Sequence, residues 1–318
     1  MLCLLLAAAG AYAGPQACRS CHPEQFRTQA QSHHAQALRR AASTPLAGQL
    51  ADRPLRERSG IEFTYAAAAD GIAVTITKGS RRLEAMLEWA FGAGVQAVTP
   101  VGRWHGRYFE HRISWYQAPQ QAARTIGHPS EPSRDPERAL GRMQDNATIT
   151  RCFECHATAV RPGPDLAAML PGVTCERCHG PGAEHAAHPS RENIGAHTRE
   201  SAAQSVRFCA ECHRAPAGPS HGAPEITDPI SIRFQPVGLM ASRCYRASRS
   251  LSCVTCHNPH QDLVRDAAFY AARCLSCHAT GGRTPVHCRR SARENCLPCH
   301  MPRSSPLPFL AFTDHRIR

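Results

Sequence analysis

Cysteine and histidine recur along this chain in one fixed spacing. The 318 residues include seventeen cysteines and nineteen histidines, and seven Cys-x-x-Cys pairs are each followed directly by histidine. Across one helical turn this spacing places both thiols on one face, and the imidazole comes next. Two thiols and an imidazole in this order hold a haem through two thioether bonds and one iron–nitrogen bond. The motifs are Cys18/Cys21/His22, Cys152/Cys155/His156, Cys175/Cys178/His179, Cys209/Cys212/His213, Cys253/Cys256/His257, Cys274/Cys277/His278 and Cys296/Cys299/His300.

Zinc ribbons and disulfides are the other common uses of paired cysteines. Histidine fills roughly one position in seventeen, so its presence after all seven pairs has a chance probability on the order of one in a billion. Zinc sites need paired knuckles and no invariant following histidine. The sequence therefore predicts seven covalently attached haem c groups.

Two cysteines are left over after the motifs and the N-terminal Cys3 are set aside. They are Cys244 and Cys288. In an oxidising compartment they could form a disulfide, and the alternative is a pair of inert buried thiols. The sequence leaves this choice open.

The formal net charge is +12, and arginine supplies almost all of the positive charges, since Lys78 is the only lysine. Seven haems would add fourteen propionate groups, which would change the net charge to roughly −2. Guanidinium groups match carboxylate geometry, so the scattered arginines are interpreted as propionate partners. Nucleic-acid binding thereby loses its main support.

The first thirteen residues, Met-Leu-Cys-Leu-Leu-Leu-Ala-Ala-Ala-Gly-Ala-Tyr-Ala, form an uncharged apolar run that ends in small residues before Gly14. This pattern is typical of a secretory signal peptide with its cleavage site. The run is too short to cross a bilayer, and no later stretch is long and apolar enough. We therefore expect an exported protein, periplasmic or extracellular, without a transmembrane span.

The fold class expected is mostly α and irregular, packed around haems, with a small antiparallel β insert. The insert is predicted from short alternating runs of β-branched and aromatic residues, such as Ile61–Tyr65 and Ile72–Thr77, and would have four to six strands. The expected divisions are a signal peptide (1–13), a first haem-binding segment (14–54), the β-rich insert (55–120), a linker (121–145) and a six-haem domain (146–318).

The sixth iron ligand decides what each haem could do. Iron with two histidines is saturated and suited to electron transfer, whereas an open position can bind a small molecule. Seven histidines are proximal, and twelve others remain for the seven sixth positions. Mostly bis-histidine ligation is therefore expected, and the six methionines show no spacing that favours them.

Chain position narrows the choice of distal ligands. His260 follows His257 too closely to reach the far face of the same haem, so it would serve a neighbouring haem. His185 and His188 follow the third motif across the turn Gly180-Pro-Gly, so one or both would ligate an adjacent haem. The complete predicted set is His34, His128, His185, His188, His221, His260 and His315.

The remaining histidines are weaker candidates. His105 and His111 lie inside the predicted β insert, where surface or packing roles are more common, and His197 is expected to be solvated. The sequence does not separate ligand from non-ligand at His128, His221 or His287.

Several local sequences resemble the cytochrome c-554 family. They are Cys18-Arg-Ser-Cys-His-Pro-Glu followed by Ser32-His-His34-Ala, and Gly172-Val-Thr-Cys-Glu-Arg-Cys-His-Gly-Pro-Gly-Ala-Glu-His185. The resemblance covers the haem-bearing two thirds of the chain and implies a helical, loop-rich fold around closely packed haems. It also implies that His34, His185 and His315 are distal ligands. Tetrahaem members carry four motifs, so their haem pairings cannot be transferred to seven.

Two functions remain open from the sequence. The first is electron transfer through seven haems, with other cytochromes or a membrane quinol-linked complex as redox partners. The alternative is a multihaem oxidoreductase with one five-coordinate haem, acting on small nitrogen or sulfur compounds. Docking through the β insert is compatible with electron transfer, and self-association of the chain stays open.

Overall fold

The computed structural model describes residues 10–52, 55–160, 169–197, 200–214, 231, 233–279, 281, 288 and 295–318. The chain divides into two units, residues 1–196 and 197–318. No helix in the described residues is both long and apolar enough to span a membrane.

The described residues of the first unit form twelve strands. Their bounds are β1 Leu38–Arg40, β2 Leu55–Arg56, β3 Glu62–Ala68, β4 Gly71–Lys78, β5 Arg81–Phe91, β6 Ala97–Trp104, β7 Arg107–His111, β8 Ile113–Tyr116, β9 Gln121–Arg124, β10 Gly141–Met143, β11 Ala157–Thr158 and β12 Leu170–Pro171. Ten of them form one curled antiparallel sheet, in the order β10-β7-β6-β5-β4-β3-β2. Strand β1 pairs with β5, and β8 joins β6 to β9. Strands β11 and β12 form a separate pair.

This sheet corrects the fold class expected from the sequence. About 35% of the structure is helical and 25% is in strands, so a mostly helical chain with a small β insert is wrong. The expected linker at 121–145 contains β9 and β10, and β10 pairs with β7. Here hydrogen bonding between distant segments builds strands that short local runs do not reveal.

Strand β5 shows why the sheet was underestimated. Its sequence, Arg-Arg-Leu-Glu-Ala-Met-Leu-Glu-Trp-Ala-Phe, is rich in residues that favour helices. In the fold it pairs with β4 and β1 along one edge, and with β6 along the other. Pairing on both edges outweighs the weak helical preference of the isolated segment.

A β-bulge in β5 places large apolar side chains of this strand on both faces of the sheet. The pairing of β5 with β6 shifts register between Leu87 and Trp89. Two residues apart, these side chains would share a face of a regular strand, but the bulge separates them. Leu87 packs in a core with Ile72, Val74 and other residues of the sheet. Trp89 packs in a second core.

Some helices of the first unit pack on these two faces, and others carry motifs or follow them. They are α1 Pro23–Ala30, α2 Leu46–Ala51, α3 Pro136–Leu140, α4 Asn146–His156, α5 Cys175–His179 and α6 Ala183–Ala187, preceded by a 3-10 helix, Pro15–Cys18. Leu46 and Leu50 of α2 and Leu140 of α3 belong to the first core. Ile149 and Phe153 of α4 belong to the second.

In the residues described for it, the second unit contains short helices and one hairpin. The helices are α7 Ala202–His213, α8 Gln235–Ala241, α9 Arg243–Ala247, α10 Cys253–Cys256, α11 Ala267–His278 and α12 Leu297–His300, and the hairpin strands are β13 Arg303–Leu307 and β14 Leu310–Thr313. Helix α7 begins with a capping box, in which Ser201 and Gln204 bond each other's backbone N–H groups.

One histidine of the sheet is fully buried. His111, 0% exposed, donates its Nδ1–H to the carbonyl of Leu140, and its Nε2 accepts the hydroxyl proton of Tyr65 at 2.9 Å. Both ring nitrogens are therefore engaged within the protein, as expected of a packing residue. Burial without a counter-charge disfavours the cation and lowers the pKa of His111 to about 3.

This burial makes the stability of the sheet depend on pH. Between pH 6.5 and about 3 the unfolded chain protonates His111 and the folded chain does not. Stability should therefore fall as pH drops through this window, by about 1.4 kcal/mol for each unit. Urea unfolding followed by circular dichroism between pH 7 and 5 measures the slope. We expect His111→Gln to flatten it and His105→Gln, at an exposed position, to leave it unchanged; equal slopes in all three proteins would contradict the assignment.

Candidate haem-attachment sites

All seven motifs lie on or beside short helices, so each pair of thiols is one turn apart. In five motifs the proximal histidine is the last residue of the helix: α4, α5, α7, α11 and α12. Helix α10 ends at Cys256, one residue before His257. The first motif begins at the end of the 3-10 helix, and His22 is the N-cap of α1. The helical spacing expected from the sequence is thus present at each motif.

The second cysteine of each motif differs in exposure from one site to another, which the spacing alone does not predict. The thiols of Cys21 and Cys299 are exposed, whereas those of Cys155, Cys178, Cys212, Cys256 and Cys277 are half-buried. All fourteen motif cysteines are thiols outside any disulfide, and therefore have the chemical form that thioether attachment needs. Attachment of haem through these cysteines stays a prediction.

Two attachment sites of the first unit are neighbours. The thiols of Cys18 and Cys175, from the first and third motifs, hydrogen-bond to each other. Burial and the neighbouring Cys175 raise the pKa of Cys18 to about 11. Both thiols are therefore protonated at neutral pH until they are alkylated.

The first proximal histidine faces a second imidazole. The ring centroids of His22 and His185 are 6.5 Å apart and their planes differ by 18°. Two imidazoles on opposite sides of one metal, each with a bond of about 2.0 Å, have centroids on the order of 6 to 6.5 Å apart. Nδ1 of His185 lies 3.0 Å from both the carbonyl of Ser190 and Oδ1 of Asn193. With its proton on Nδ1, His185 leaves Nε2 free for iron.

A second facing pair occurs in the second unit. The centroids of His257 and His315 are 6.2 Å apart, with 45° between the planes. Nδ1–H of His315 donates to the carbonyl of Thr313 at 3.0 Å, which again leaves Nε2 free. Burial lowers the pKa of both rings and favours the neutral form, which is the form that binds a metal.

Backbone carbonyls orient three other proximal histidines. Nδ1 of His156 lies 3.0 Å from the carbonyl of Ala37, and Nδ1 of His179 lies 2.7 Å from that of Gly195. Nδ1 of His300 bonds the carbonyl of Arg318. A partner on Nδ1 fixes the tautomer and directs Nε2 outward.

The positions of the other predicted distal ligands do not show whether they bind iron. His34 is half-buried in the turn after α1, and His128 has its Nε2 against Glu110 at 3.0 Å. His188 is exposed after α6, and His260 is half-buried beyond α10. Iron ligation by these four, as by His185 and His315, stays a prediction. His221 and His287 lie outside the described residues.

The motifs of the second unit adjoin one another in chain order. The thiols of Cys209 and Cys253 are hydrogen-bonded, which lowers the pKa of Cys209 to about 7 and raises that of Cys253. Burial, together with the nearby Cys296 and Cys256, raises the pKa of Cys274 to about 11. The fourth motif therefore contacts the fifth, and the sixth lies near both the fifth and the seventh.

The two cysteines outside the motifs are separate thiols. Cys244 and Cys288 are not joined by a disulfide in the structure. Cys244, on α9, is close enough to the sixth motif for Cys277 to contribute to its raised pKa, after burial as the main cause.

Sequence reasoning missed an aromatic cluster that supports the second motif. Phe153, on the same helix as Cys152 and His156, lies 5.0 to 5.8 Å from the rings of Trp89, Phe91 and Tyr108. Phe91 also approaches the ring of His156, at 5.1 Å. The alternation of Trp89 and Phe91 was the available signal, but it lies in β5, which was not predicted as a strand.

The residues present fit a covalently held, carboxylate-bearing group. Each motif offers two thiols and an imidazole, and two motifs have a second imidazole at the right spacing. Buried donors without a partner in the described residues include Nε of Arg39 and Nε1 of Trp89. Such atoms are the expected partners of haem propionates.

Comparisons with known proteins agree with this arrangement. The family model for cytochrome c554 and c-prime matches residues 109–180, which include the second and third motifs. The resemblance to the multihaem c-type cytochromes is confirmed. No curated protein sequence matches the chain.

Two solved structures share its fold. The outer cell wall cytochrome OcwA superposes with a TM-score of 0.59 at 14% identity, over 96% of this chain and 79% of that one. An undecahaem cytochrome from the S-layer of Carboxydothermus ferrireducens gives a TM-score of 0.50 at 19% identity, over 94% of this chain. The chain spans about half the length of that larger cytochrome, 52%.

The two facing pairs predict a spectroscopic result. Replacing His185 or His315 with alanine should free one sixth position and convert about one haem per chain from low to high spin. Electron paramagnetic resonance of the oxidised protein measures this, and added imidazole should restore the low-spin signal. His105→Ala, at an exposed position, is the control. Unchanged spectra in the first two variants would show that these histidines are not ligands.

Proposed function

We propose that the chain is an exported c-type cytochrome that carries electrons through seven haems. The observation that carries this proposal is the two pairs of facing histidines, one at the first motif and one at the fifth, because a second imidazole would fill the position that a substrate would need. Haem bound at such sites supplies one-electron oxidation and reduction at iron.

The chain's own residues would hold and tune these groups. Cysteines one helical turn apart fix each haem by thioether bonds, and backbone carbonyls on Nδ1 orient the proximal rings. Nε2 of His185 and of His315 would complete two coordination spheres and exclude small molecules there. Arginines would balance the propionates and so influence each reduction potential.

The adjacency of the motifs supports transfer from one site to the next. In the second unit the fourth to seventh motifs lie side by side in chain order, through the contacts of Cys209, Cys256 and Cys274. In the first unit the first and third motifs touch through Cys18 and Cys175. Closely spaced attachment points suit a conduit better than an isolated redox centre.

Location and partners follow from the same reasoning. The apolar start of the chain and the outer cell wall and S-layer cytochromes that share its fold support a periplasmic or extracellular position. Other cytochromes or a membrane quinol-linked complex would exchange electrons with it. The proposal also includes association of the chain with further copies of itself.

Two measurements on the purified holoprotein test the proposal. The pyridine haemochrome assay should give seven haems per chain, and low-temperature electron paramagnetic resonance should show only low-spin iron. Absence of covalent haem would overturn the whole proposal. A high-spin signal near one haem per chain would favour the alternative oxidoreductase, to be tested with nitrite, hydroxylamine and nitric oxide as ligands.

A further inference from the structure

A buried carboxylate inside the third motif holds the N-terminal segment. Oε1 of Glu176 accepts the backbone N–H of Ala13 at 2.8 Å, and Oε2 accepts that of Gly14, also at 2.8 Å. A third bond comes from the N–H of Gly182, at 2.8 Å to Oε1. The same segment forms a further hydrogen bond, from the backbone N–H of Ala183 to the carbonyl of Ala11 at 3.1 Å.

Glu176 has hydrogen bonds but no opposite charge. The residue is 3% exposed, and within the described part of the chain no arginine, lysine or histidine forms an ion pair with it. A buried carboxylate is costly unless a positive group balances it. Three amide donors satisfy its lone pairs but supply no net charge.

The predicted cleavage site lies at this carboxylate. Ala11 and Ala13 are the small residues of the cleavage pattern, and residues 10–13 are exposed, whereas Gly14 and Pro15 are half-buried. Burial of the chain thus begins at Gly14, although Ala11 and Ala13 also form backbone hydrogen bonds with the unit. The new amino group would be the same nitrogen that already lies 2.8 Å from Oε2 of Glu176.

We propose that export cleaves the bond between Ala13 and Gly14, and that the Gly14 α-ammonium then binds the buried carboxylate of Glu176. In the cleavage, water adds across the peptide bond under a signal peptidase. The carboxylate stays on Ala13 and leaves with the signal, and the Gly14 amine takes up a proton. This inference rests on the export included in the proposed function.

The new ion pair would join two attachment sites. Gly14 is four residues before Cys18 of the first motif, and Glu176 lies between the two cysteines of the third. The same two motifs touch through the thiols of Cys18 and Cys175. Processing would therefore supply the missing positive charge at a point that fixes the first and third sites relative to each other.

The chain offers a clean chemical test, because Lys78 is its only lysine. After processing, a mature protein has two amines, the α-amine of Gly14 and Nζ of Lys78, which donates to the backbone carbonyl of Arg134 at 2.8 Å. N-terminal sequencing of the purified holoprotein should begin at Gly14-Pro15. A different first residue would overturn the inference, and a haem count on the same sample tests the proposed function separately.

Acetylation by a water-soluble ester then tests the ion pair. We expect the Gly14 amine of the folded protein to react about tenfold more slowly than in urea, where the pair is lost, as a stabilisation near 1.4 kcal/mol requires. Lys78, whose contact is with a neutral carbonyl, serves as the internal reference. Equal rates for Gly14 in the folded and unfolded protein would overturn the binding to Glu176 even if cleavage occurs as proposed.

Two variants test whether Glu176 causes the slow acetylation of the Gly14 amine. Glu176→Gln should raise the rate at Gly14 by about tenfold while Lys78 is unchanged, since the amide cannot balance the ammonium. Glu184→Gln removes the same charge from an exposed position of the adjacent helix and should leave both rates unchanged. Protection that persists in Glu176→Gln would contradict the assignment. If that variant does not fold, the comparison of folded and unfolded wild-type protein decides.

Discussion

The β-bulge between Leu87 and Trp89 is the feature on which the architecture of the first unit depends. A regular strand would present both side chains to one core and would remove Trp89 from the opposite face. The bulge turns Trp89 and Phe91 toward α4, where they enclose Phe153 together with Tyr108. The second motif is held in place by this packing, because Cys152 and His156 are on the same helix.

The segment between β9 and β10 is fastened to the sheet by a buried ion pair. Arg112, almost fully buried, donates to Oε1 of Glu57 at 2.6 Å, and it also bonds the carbonyl of Glu131. Oε2 of Glu57 accepts the N–H of Ser133 at 2.6 Å. Each charge is both paired and hydrogen-bonded, which is the condition under which buried ions are tolerated.

The sequence reveals features that depend on neighbouring residues, and it does not reveal those that depend on contacts between distant segments. The attachment motifs are local, so their positions and helical spacing were readable from five consecutive residues. Strand β5 was missed because its partners β1, β4 and β6 outweigh its own preference for helix. The partners of His22 and His257 depend on distant segments. The resemblance to a known family pointed to His185 and His315, but spacing alone could not decide between them and the other histidines.

The facing histidines also have a meaning for biogenesis. Under the proposed export, the first motif would emerge before the sheet and the second and third motifs, and His185 would follow all of them. Its ring can reach His22 only once the intervening chain has assembled, and His315 has the same relation to His257 across the last two motifs. Under the proposed ligation, attachment of a haem would depend on its local motif, whereas the spin state of its iron would report that the surrounding unit has finished folding.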